Sequence, residues 1–559
     1  MPHLTRRTLL AAGLAGPALS CAPAFAATRG VAHGAFTHGV ASGDPLKDAV
    51  ILWTRFVTAD AGPGEIGWEV AEDDSFKSIV RSGKAAVSPR RDFCVKVDAR
   101  GLKPGRSYAY RFVGAKGPSV TGLTRTAPDA GAASLRFALL SCANLGFGWF
   151  HAYRDAAARP DIELCIHVGD YFYEYGRGAY PSAKEAVAGR ILMPEVELIS
   201  GSDYHRRYAN YRDDPDLQEL HRIKPWIAIW DDHEFANDTW SGGAQNHDPA
   251  TEGAWQTRRA NAVQAYLDWM PVRHDPRQGL AIYRRYDWGG LATLLMLDTR
   301  MIGRSRAMSY QELFGDVPDM DETKLAAAVD AFKRKAYIDP KRTMMGFPQE
   351  AWLRKELQRS RAAGTPWQVL AQQVVMGDVV TPQAFNRFVP ADATERTKTY
   401  TLSGTRLAKY GLPYTLDAWG GYPAARARLM ADIQAHAANT IVLSGDSHSA
   451  WANNLAAAAD GPCLAVEVAA TAVTSPGMEK WLTAAPAGGR EDALTGENPG
   501  IAWCDATNKG YAIVTLTREN ATADFVALGD VADPAAGVIG NSRMVAEATG
   551  AGPRPWLLS

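Results

Sequence analysis

Residues 163–176, ELCIHVGDYFYEYG, contain the pattern that decides the fold. The apolar run at residues 164–168 is typical of a strand that is buried on both faces. Gly169 breaks this strand, and Asp170 follows at once in an aromatic-rich segment that includes Tyr173 and Glu174. A carboxylate and a phenol directly after a buried strand fit an α/β protein, in which ligands bind at the carboxyl ends of strands.

Three more apolar strands run into polar clusters in the same way. They are LRFALLSCAN at residues 135–144, PWIAIWDDHE at residues 225–234 and NTIVLSGDSHS at residues 439–449. Helical stretches such as EGAWQTRRANAVQAYLDWM, at residues 252–270, lie between the strands. This alternation predicts an α/β fold in which the strand ends share one edge, so that the clusters meet in space.

The pattern of apolar and polar residues changes along the sequence and divides the chain into parts. Residues 33–127 read as short alternating strands, which predicts a small β-sandwich. Within it, GLKPGRSYAYRF is similar to the turn into a late strand of fibronectin type III-like sandwiches, with Tyr108 as the corner tyrosine. The α/β domain is predicted at residues 134–540, with two long inserts at 303–345 and 380–424. Residues 541–559 form a C-terminal tail that is a candidate to fold over the site.

The N-terminus has the features of an export signal. Arg6 and Arg7 precede a short apolar stretch, and the segment ends in the small-x-small pattern of a cleavage site at Ala26. This pattern resembles a twin-arginine signal peptide over residues 1–26, and it predicts a periplasmic or secreted protein. A membrane anchor and a lipoprotein attached at Cys21 are the alternatives. No later segment reads as a transmembrane helix.

Composition limits the function classes. The 559 residues include 60 basic and 61 acidic ones without a basic stripe, so no nucleic-acid-binding surface is expected. Cleavage at Ala26 would leave five of the 6 cysteines, an odd number. At least one thiol must then stay unpaired, either as an inert buried group or as a metal ligand. A disulfide between Cys463 and Cys504 is an open alternative.

The polar clusters together indicate metal binding, although each alone also fits an ordinary loop. So many carboxylates in one crevice need cations to compensate their charge. Oxygen ligands suit calcium or magnesium, whereas thiolate and phenolate favour a transition metal such as iron(III). The mixture predicts two unlike metals that share a bridging carboxylate. The candidate side chains are Cys142, Asn144, Asp170, Tyr173, Asp231, Asp232, His233, Asn237, Asp446 and His448.

The order GDxxY, DDHE and GDxH resembles the PhoD-type alkaline phosphatase/phosphodiesterase branch of the metallophosphoesterase superfamily. The chain departs from the general superfamily pattern as this branch does. Cys142 stands at the first metal-binding position, Asp232 replaces an Asn and Asp446 replaces a His. The resemblance implies an αββα sandwich as the catalytic domain at residues 134–540, preceded by the β-sandwich domain.

The resemblance also implies roles for single residues. Iron(III), Fe³⁺, would be held by Cys142, Asp170, Tyr173 and His448, with Asp170 bridging to the second metal. Calcium, Ca²⁺, would be bound by Asp232 and Asp446, with Asn237 or Asp231 as further candidates. His233 would contact the phosphate or protonate the leaving oxygen, and Asn144 would help to hold the phosphate. Gln372 or Gln373 stands at the position of the family's lone histidine, and neither is predicted as a ligand.

The function implied by these residues is an exported alkaline phosphatase. It would hydrolyse phosphate monoesters and diesters by attack of a metal-activated water. Phosphate-ester small molecules are the expected substrates, with phospholipids and cell-wall phosphodiesters as further candidates, and the twin-arginine machinery is the expected export partner. A specialised phosphodiesterase or phospholipase D-like enzyme of the same branch is one alternative. An exported binding module without catalysis is the second.

Overall fold

A computed structural model describes residues 31–458 and 460–559, so the predicted signal peptide lies outside the described residues. Within them the chain forms 22 strands and 12 α-helices. The strands are β1 (Gly34–Gly43), β2 (Ala49–Thr58), β3 (Gly64–Ala71), β4 (Ile79–Val87), β5 (Cys94–Arg100), β6 (Ser107–Gly114), β7 (Gly117–Pro118), β8 (Gly122–Arg125), β9 (Leu135–Leu140), β10 (Leu164–His167), β11 (Pro225–Ala228), β12 (Arg284–Trp288), β13 (Ala292–Met296), β14 (Trp367–Ala371), β15 (Asn439–Ser444), β16 (Ala450–Leu455), β17 (Ala465–Ala469), β18 (Ile501–Asp505), β19 (Lys509–Leu516), β20 (Asn520–Leu528), β21 (Val538–Glu547) and β22 (Leu557–Leu558). The helices are α1 (His151–Ala158), α2 (Gly201–Arg212), α3 (Pro215–Ile223), α4 (Pro249–Glu252), α5 (Trp255–Trp269), α6 (Tyr310–Phe314), α7 (Glu322–Phe332), α8 (Phe347–Ala362), α9 (Phe385–Phe388), α10 (Glu395–Ala408), α11 (Pro423–His436) and α12 (Gly489–Glu497).

Two large mixed sheets form the body of the protein. The first has 10 strands in the order β22-β21-β20-β19-β9-β10-β11-β1-β2-β5, and the second has 7 in the order β12-β13-β14-β15-β17-β16-β18. Strands β9, β10, β11 and β1 are parallel to one another, as are β13, β14, β15 and β17. The predicted α/β class is therefore confirmed.

The two sheets share one hydrophobic core, as the alternation of side chains along β13 shows. Leu294 belongs to the core that also contains Ile166 and Val514 of the ten-stranded sheet. Its neighbour Leu295 belongs to a second core, which Leu353 of α8 joins. Since successive side chains of a strand point to opposite faces, the seven-stranded sheet lies between the ten-stranded sheet and helices.

The N-terminal region is joined to the ten-stranded sheet by backbone pairing. Strand β1 lies parallel to β11, with Ser42 opposite Pro225. Strands β3, β4, β6, β7 and β8 form a separate five-stranded sheet. Val50 of β2 and Phe112 of β6 lie in one core, so the smaller sheet packs against the β2 and β5 edge of the larger one. This continuity between the N-terminal region and the larger sheet was not predicted, because strand alternation does not reveal distant partners.

Three other predictions concern the C-terminal tail, the two inserts and membrane-spanning helices. Strand β21 spans the boundary predicted at residue 541, and the Trp556 indole beyond it donates to the Glu467 carbonyl at 3.0 Å. The two inserts pack on each other, with Phe314 and Leu407 in one small core. No helix in the described ranges has the length and apolar character that would span a membrane.

The described cysteines are all unpaired. Cys94, Cys142, Cys165 and Cys504 are buried, and Cys463 is partly buried. The alternative of a Cys463–Cys504 disulfide is therefore wrong for this structure. Cys463 instead donates to the Ala465 carbonyl at 3.2 Å.

Candidate metal centre

Four of the predicted ligands follow strands and have a positive φ angle, which non-glycine residues rarely adopt. The φ angles are 59° at Cys142, 54° at Asp170, 62° at Asp446 and 59° at His448. Left-handed φ values at non-glycine residues cost about 1–3 kcal/mol each and cluster at functional sites. The sharp turns that they make bring side chains from β9, β10 and β15 to a common crevice.

Glycines permit the turns to approach each other. Gly169 has a φ of 109°, and a Cβ atom there would lie 2.3 Å from Asp231 Cβ. A Cβ atom on Gly445 would lie 2.1 Å from Ser141 Oγ, and Ser141 Oγ in turn lies 2.9 Å from Cys142 Sγ. The sequence therefore needs glycine at both positions for the strand ends to meet.

Replacing Gly445 with Ala should destabilise the protein by about 1–3 kcal/mol, the usual cost of overpacking. The new methyl group would push Ser141, and with it Cys142, away from the centre. Thermal unfolding and elemental analysis would show a lower melting temperature and less bound transition metal. Gly496 is the control, because a Cβ atom there has no neighbour within 4 Å in the described structure. Equal stability of Gly445→Ala and Gly496→Ala would contradict the close approach.

The side chains form three groups that share members. In each group, potential ligand atoms lie within 4.8 Å of one another. Asp170 belongs to two of the groups, and Asp232 also belongs to two. The groups are Cys142 with Asp170 and His448; Asp170 with Asp232 and His233; and Asp231 with Asp232 and Asp446.

Tyr173 lies beside the first group. Its hydroxyl donates to Asp170 Oδ2 at 3.0 Å and lies 2.9 Å from His448 Nε2. Ser475 Oγ donates to the same hydroxyl at 2.7 Å. A thiol, a phenol, an imidazole and a carboxylate thus converge on one place, which is the donor set that a transition metal prefers.

The tautomer of His448 favours metal binding. His448 Nδ1 lies 2.6 Å from the Pro476 carbonyl, which can only accept, so Nδ1 carries the proton and Nε2 keeps its lone pair. Burial and the neighbouring Lys509 lower the pKa of His448 to about 3, which keeps the ring neutral. A fixed Nδ1–H donor is the usual support of a ligating histidine.

Some buried carboxylate oxygens of the centre have no hydrogen-bond partner, which bears on whether cations fit there. In the described structure Asp170 Oδ1, Asp231 Oδ2 and Asp232 Oδ1 are buried and accept no hydrogen bond. Burial raises the pKa of Asp170 well above its usual range, and the nearby carboxylates of Asp231 and Asp232 raise it further. Buried carboxylates need compensation by hydrogen bonds or cations. These unpaired carboxylate oxygens are therefore suitable ligands for a cation that prefers oxygen, such as Ca²⁺.

Two predicted asparagines differ in placement. Asn144 is fully buried, and its Nδ2 group has no partner among the described residues, so it remains a free donor. The Asn237 amide instead donates to Gln245 Oε1 at 3.1 Å, and its backbone N–H donates to Glu174. These bonds use only nitrogen donors, so they leave the Asn237 Oδ1 atom, which is the atom that a cation would bind, without an assigned donor.

Gln372 and Gln373, which were not predicted as ligands, make internal hydrogen bonds. The Gln373 amide donates to the carbonyls of Trp230 and Leu297 at 2.8 and 2.9 Å, and its oxygen accepts from Thr299. Gln372 bonds to Val374 and accepts from the Trp419 indole. Gln373 thereby connects the ends of β11, β13 and β14, whereas Gln372 ties its own loop to the second insert.

The Glu174 carboxylate, to which the sequence pattern gave no role, holds the His233 ring in place. Glu174 Oε2 lies 2.6 Å from His233 Nδ1, and Glu174 Oε1 accepts from the Asn237 backbone at 2.7 Å. The His233 ring packs on Tyr173 with 4.1 Å between ring centroids. Although burial opposes protonation, the carboxylates of Asp232 and Glu174 raise the pKa of His233 well above its usual range. This arrangement suits a proton donor.

Replacing Glu174 with Gln should lower kcat by about 10–100-fold, the usual effect of removing a supporting hydrogen-bonded carboxylate. Without that negative charge the pKa of His233 falls, so its proton is lost at lower pH. The alkaline limb of the kcat profile should therefore move to lower pH. Glu252→Gln is the control, because Glu252 pairs with His247 at 2.9 Å outside the centre. An unshifted profile in Glu174→Gln would contradict the role of His233.

A buried arginine lies among the carboxylates and was missed in the sequence. Arg300, which is fully buried, donates to Asp231 Oδ1 at 2.5 Å, Asp417 Oδ2 at 2.7 Å and Asp446 Oδ1 at 3.1 Å. Arg304 also pairs with Asp417. The signal was present, because Arg300 ends the stretch GGLATLLMLDTR at residues 289–300, in which an apolar run again leads into polar residues. Asp417 lies in the second insert, where no local pattern marks it.

Glu234, the last residue of DDHE, holds two strand ends together. Its carboxylate accepts from the backbone N–H groups of Tyr171 at 2.6 Å, Asp170 at 3.1 Å and Asp231 at 2.6 Å. Because the side chain is buried and engaged on both loops, its role is to fix the backbone of the Asp170 and Asp231 turns.

Carboxylates at the strand ends of a mixed α/β fold, with orphaned oxygens that fit cations, define a metallohydrolase-like class of protein. The family model described as PhoD-like phosphatase matches residues 137–525, and that of the PhoD-like phosphatase N-terminal domain matches residues 20–128. The chain therefore belongs to the PhoD-like phosphatase family, and it is a phosphoric ester hydrolase.

Two relatives show how far this similarity extends. Alkaline phosphatase D of Bacillus subtilis is 33% identical over 519 residues, which cover 90% of this chain and 79% of the relative. A solved structure of PhoD has a TM-score of 0.74 at 30% identity and covers 94% of this chain and 92% of its own. The similarity thus includes both the N-terminal region and the two large sheets.

Proposed function

We propose that the protein is an exported, metal-dependent alkaline phosphatase that hydrolyses phosphate monoesters and diesters. The observation that supports this proposal most strongly is the connection of the three ligand groups through Asp170 and Asp232. Shared carboxylates are what a two-metal site for displacement at phosphorus needs. Family membership supports the same reaction class.

The proposed ligand sets follow the chemistry of the side chains. Fe³⁺ would be held by Cys142, Asp170, Tyr173 and His448, where the sulfur and phenol donors lie. Ca²⁺ would be held by the carboxylates of Asp232 and Asp446, with Asp231 adding charge and Asp170 bridging. Asn237 and Asp231 remain the further candidates, since the Asn237 amide donates to Gln245 only through its nitrogen. When bound, the cations would neutralise the phosphate oxygens and lower the pKa of the attacking water.

The remaining residues would act on the substrate directly. His233, whose Nδ1 lies 2.6 Å from Glu174 Oε2, would donate a proton to the leaving oxygen. The free Nδ2 group of Asn144 would donate a hydrogen bond to a phosphate oxygen. Because Cys142, Asp170 and Tyr173 are each at most 1% exposed, bulk water would screen the charges of the centre only weakly.

The proposal includes export. The twin-arginine pattern at Arg6 and Arg7 supports folding before transport and release into the periplasm or medium, after cleavage at Ala26. The αββα description of residues 134–540 belongs to the same proposal, and the shared core of the two sheets supports it. N-terminal sequencing of the exported protein would test the cleavage site.

A hydrolysis panel tests the proposed reaction. The purified protein would be assayed at alkaline pH with p-nitrophenyl phosphate, bis(p-nitrophenyl) phosphate, a nucleotide and phosphatidylcholine, with and without a chelator. We expect hydrolysis of the monoester and the diester, and loss of both activities on chelation. Hydrolysis of diesters alone would restrict the enzyme to a phosphodiesterase. Activity that survives complete metal removal would overturn the metal-dependent reaction.

A further inference from the structure

A chain of aromatic rings leads from the candidate metal centre toward the surface. Tyr180 packs against Tyr173 with 5.6 Å between ring centroids, against Tyr175 at 5.6 Å and against Phe147 at 4.8 Å. His233 completes the chain, with its ring 5.6 Å from that of Tyr175. Tyr175 and Tyr180 are only partly buried, so their rings form a wall of the crevice next to the proposed proton donor.

A cleft of about 290 Å³ adjoins this wall and shares Phe147 with it. Thr474, which also lines the cleft, bonds to both backbone groups of Asn144 at 2.8 and 2.7 Å. Pro476 lines the cleft as well and accepts from His448. The cleft therefore borders the segments that hold Asn144 and His448, and the Tyr180 ring packs between Tyr173 of the centre and Phe147 of the cleft.

The wall is fixed in place by the segment that follows Cys142. A Cβ atom on Gly146 would lie 2.6 Å from Pro181 Cδ, which shows how closely the Tyr180 loop packs there. The backbone of Val187 also donates to the Gly146 carbonyl at 2.9 Å. A wall that is held in this way binds a ligand at a lower entropic cost than a mobile loop would.

The chemistry of the cleft suits a planar group with polar substituents. Tyrosine and phenylalanine rings stack with other aromatic rings at such distances. Lys509, which pairs with Glu479 at 3.0 Å, and Asn508, whose amide donates to Asp505 at 2.9 Å, also line the cleft. A small aliphatic group has no ring face to stack on the wall, whereas an aromatic ring would stack on Tyr180 and turn its polar substituents toward the cleft.

We propose that Tyr180 and the adjoining cleft form a leaving-group subsite that selects phosphate esters whose leaving group carries an aromatic ring, such as a phenol or a nucleoside, over esters of small aliphatic alcohols. This inference rests on the proposed phosphatase function and names its preferred substrate class. Tyr180 is the specificity-determining residue, because its ring joins the centre to the cleft.

The test compares two esters and two variants of the metal-loaded enzyme. The ratio of kcat/KM for p-nitrophenyl phosphate to that for glycerol 3-phosphate would be measured for wild type, Tyr180→Leu and Tyr180→Phe. We expect the ratio to fall about tenfold in Tyr180→Leu and to stay within twofold in Tyr180→Phe. Tyr283→Leu is the matched control, since Tyr283 packs on Trp352. An unchanged ratio in folded Tyr180→Leu would overturn the subsite.

A binding measurement separates this inference from the proposed function. Calorimetric titration of wild type and Tyr180→Leu with phenylphosphonate and methylphosphonate needs no turnover. We expect wild type to prefer phenylphosphonate and Tyr180→Leu to lose that preference. Equal binding of both phosphonates by wild type would overturn the subsite, whereas selective binding without hydrolysis of any ester would support the subsite and contradict the proposed function.

Discussion

Replacing Asp170 with Asn is expected to lower kcat for phosphate-ester hydrolysis by about 1,000-fold or more. Asp170 belongs to two ligand groups at once, and its Oδ1 atom has no hydrogen-bond partner among the described residues. An amide has no charge to share between two cations, so both metals should bind more weakly. The steady-state rate and the metal content of the purified variant would be measured together.

The control for this variant is Asp319→Asn, which changes an exposed aspartate outside the three groups. It should keep wild-type activity and metal content. Asp170→Asn should retain the far-ultraviolet circular dichroism of the wild type, because Glu234 and Gly169 continue to fix the loop. A folded Asp170→Asn enzyme with full activity and full metal content would rule out the site.

Replacing Arg300 with Met is expected to destabilise the chelator-treated protein by about 3–5 kcal/mol, the usual cost of removing one partner of a buried ion pair. Its guanidinium is the buried cation that faces Asp231, Asp417 and Asp446. Without it, these carboxylates would repel one another unless bound metal compensated them. Adding Ca²⁺ should therefore recover more stability in Arg300→Met than in wild type, as thermal unfolding with and without metal would show.

Two further variants make this result interpretable. Arg300→Lys keeps the positive charge but loses the planar guanidinium with its several donors. We therefore expect a melting temperature between those of wild type and Arg300→Met. Arg334→Met removes an exposed arginine that pairs with Asp330, and it should change stability little. Equal destabilisation of Arg300→Met with and without metal would contradict the proposed compensation between the guanidinium and the cations.

The sequence predicted the parts of the centre that stand at strand ends. Cys142, Asp170 and His448 each follow an apolar run that ends at a buried sheet, and parallel strands bring their ends to one edge. Local pattern and topology therefore suffice for these residues. Their left-handed φ values were not predicted, because Asp, Cys and His rarely adopt them unless the surrounding structure imposes the turn.

Other parts depend on contacts that no local pattern reveals. The pairing of β1 with β11 joins residues far apart in the chain, and alternation alone does not select a partner. Asp417 reaches the centre from an insert, and only its ion pairs with Arg300 and Arg304 show its place. Asn237 stays a prediction, because its amide nitrogen donates to Gln245 and its oxygen is left for a cation.

The most direct test of the central claim is the location of metals in crystals of the purified protein by anomalous diffraction. Data collected on both sides of the iron absorption edge would separate iron from calcium. We expect two cation peaks about 3.5–4 Å apart, the usual spacing of two-metal sites, with Asp170 bonded to both and iron on the side of Cys142 and Tyr173. No peak at Asp170, or a single cation that contacts only Asp232 and Asp446, would contradict it.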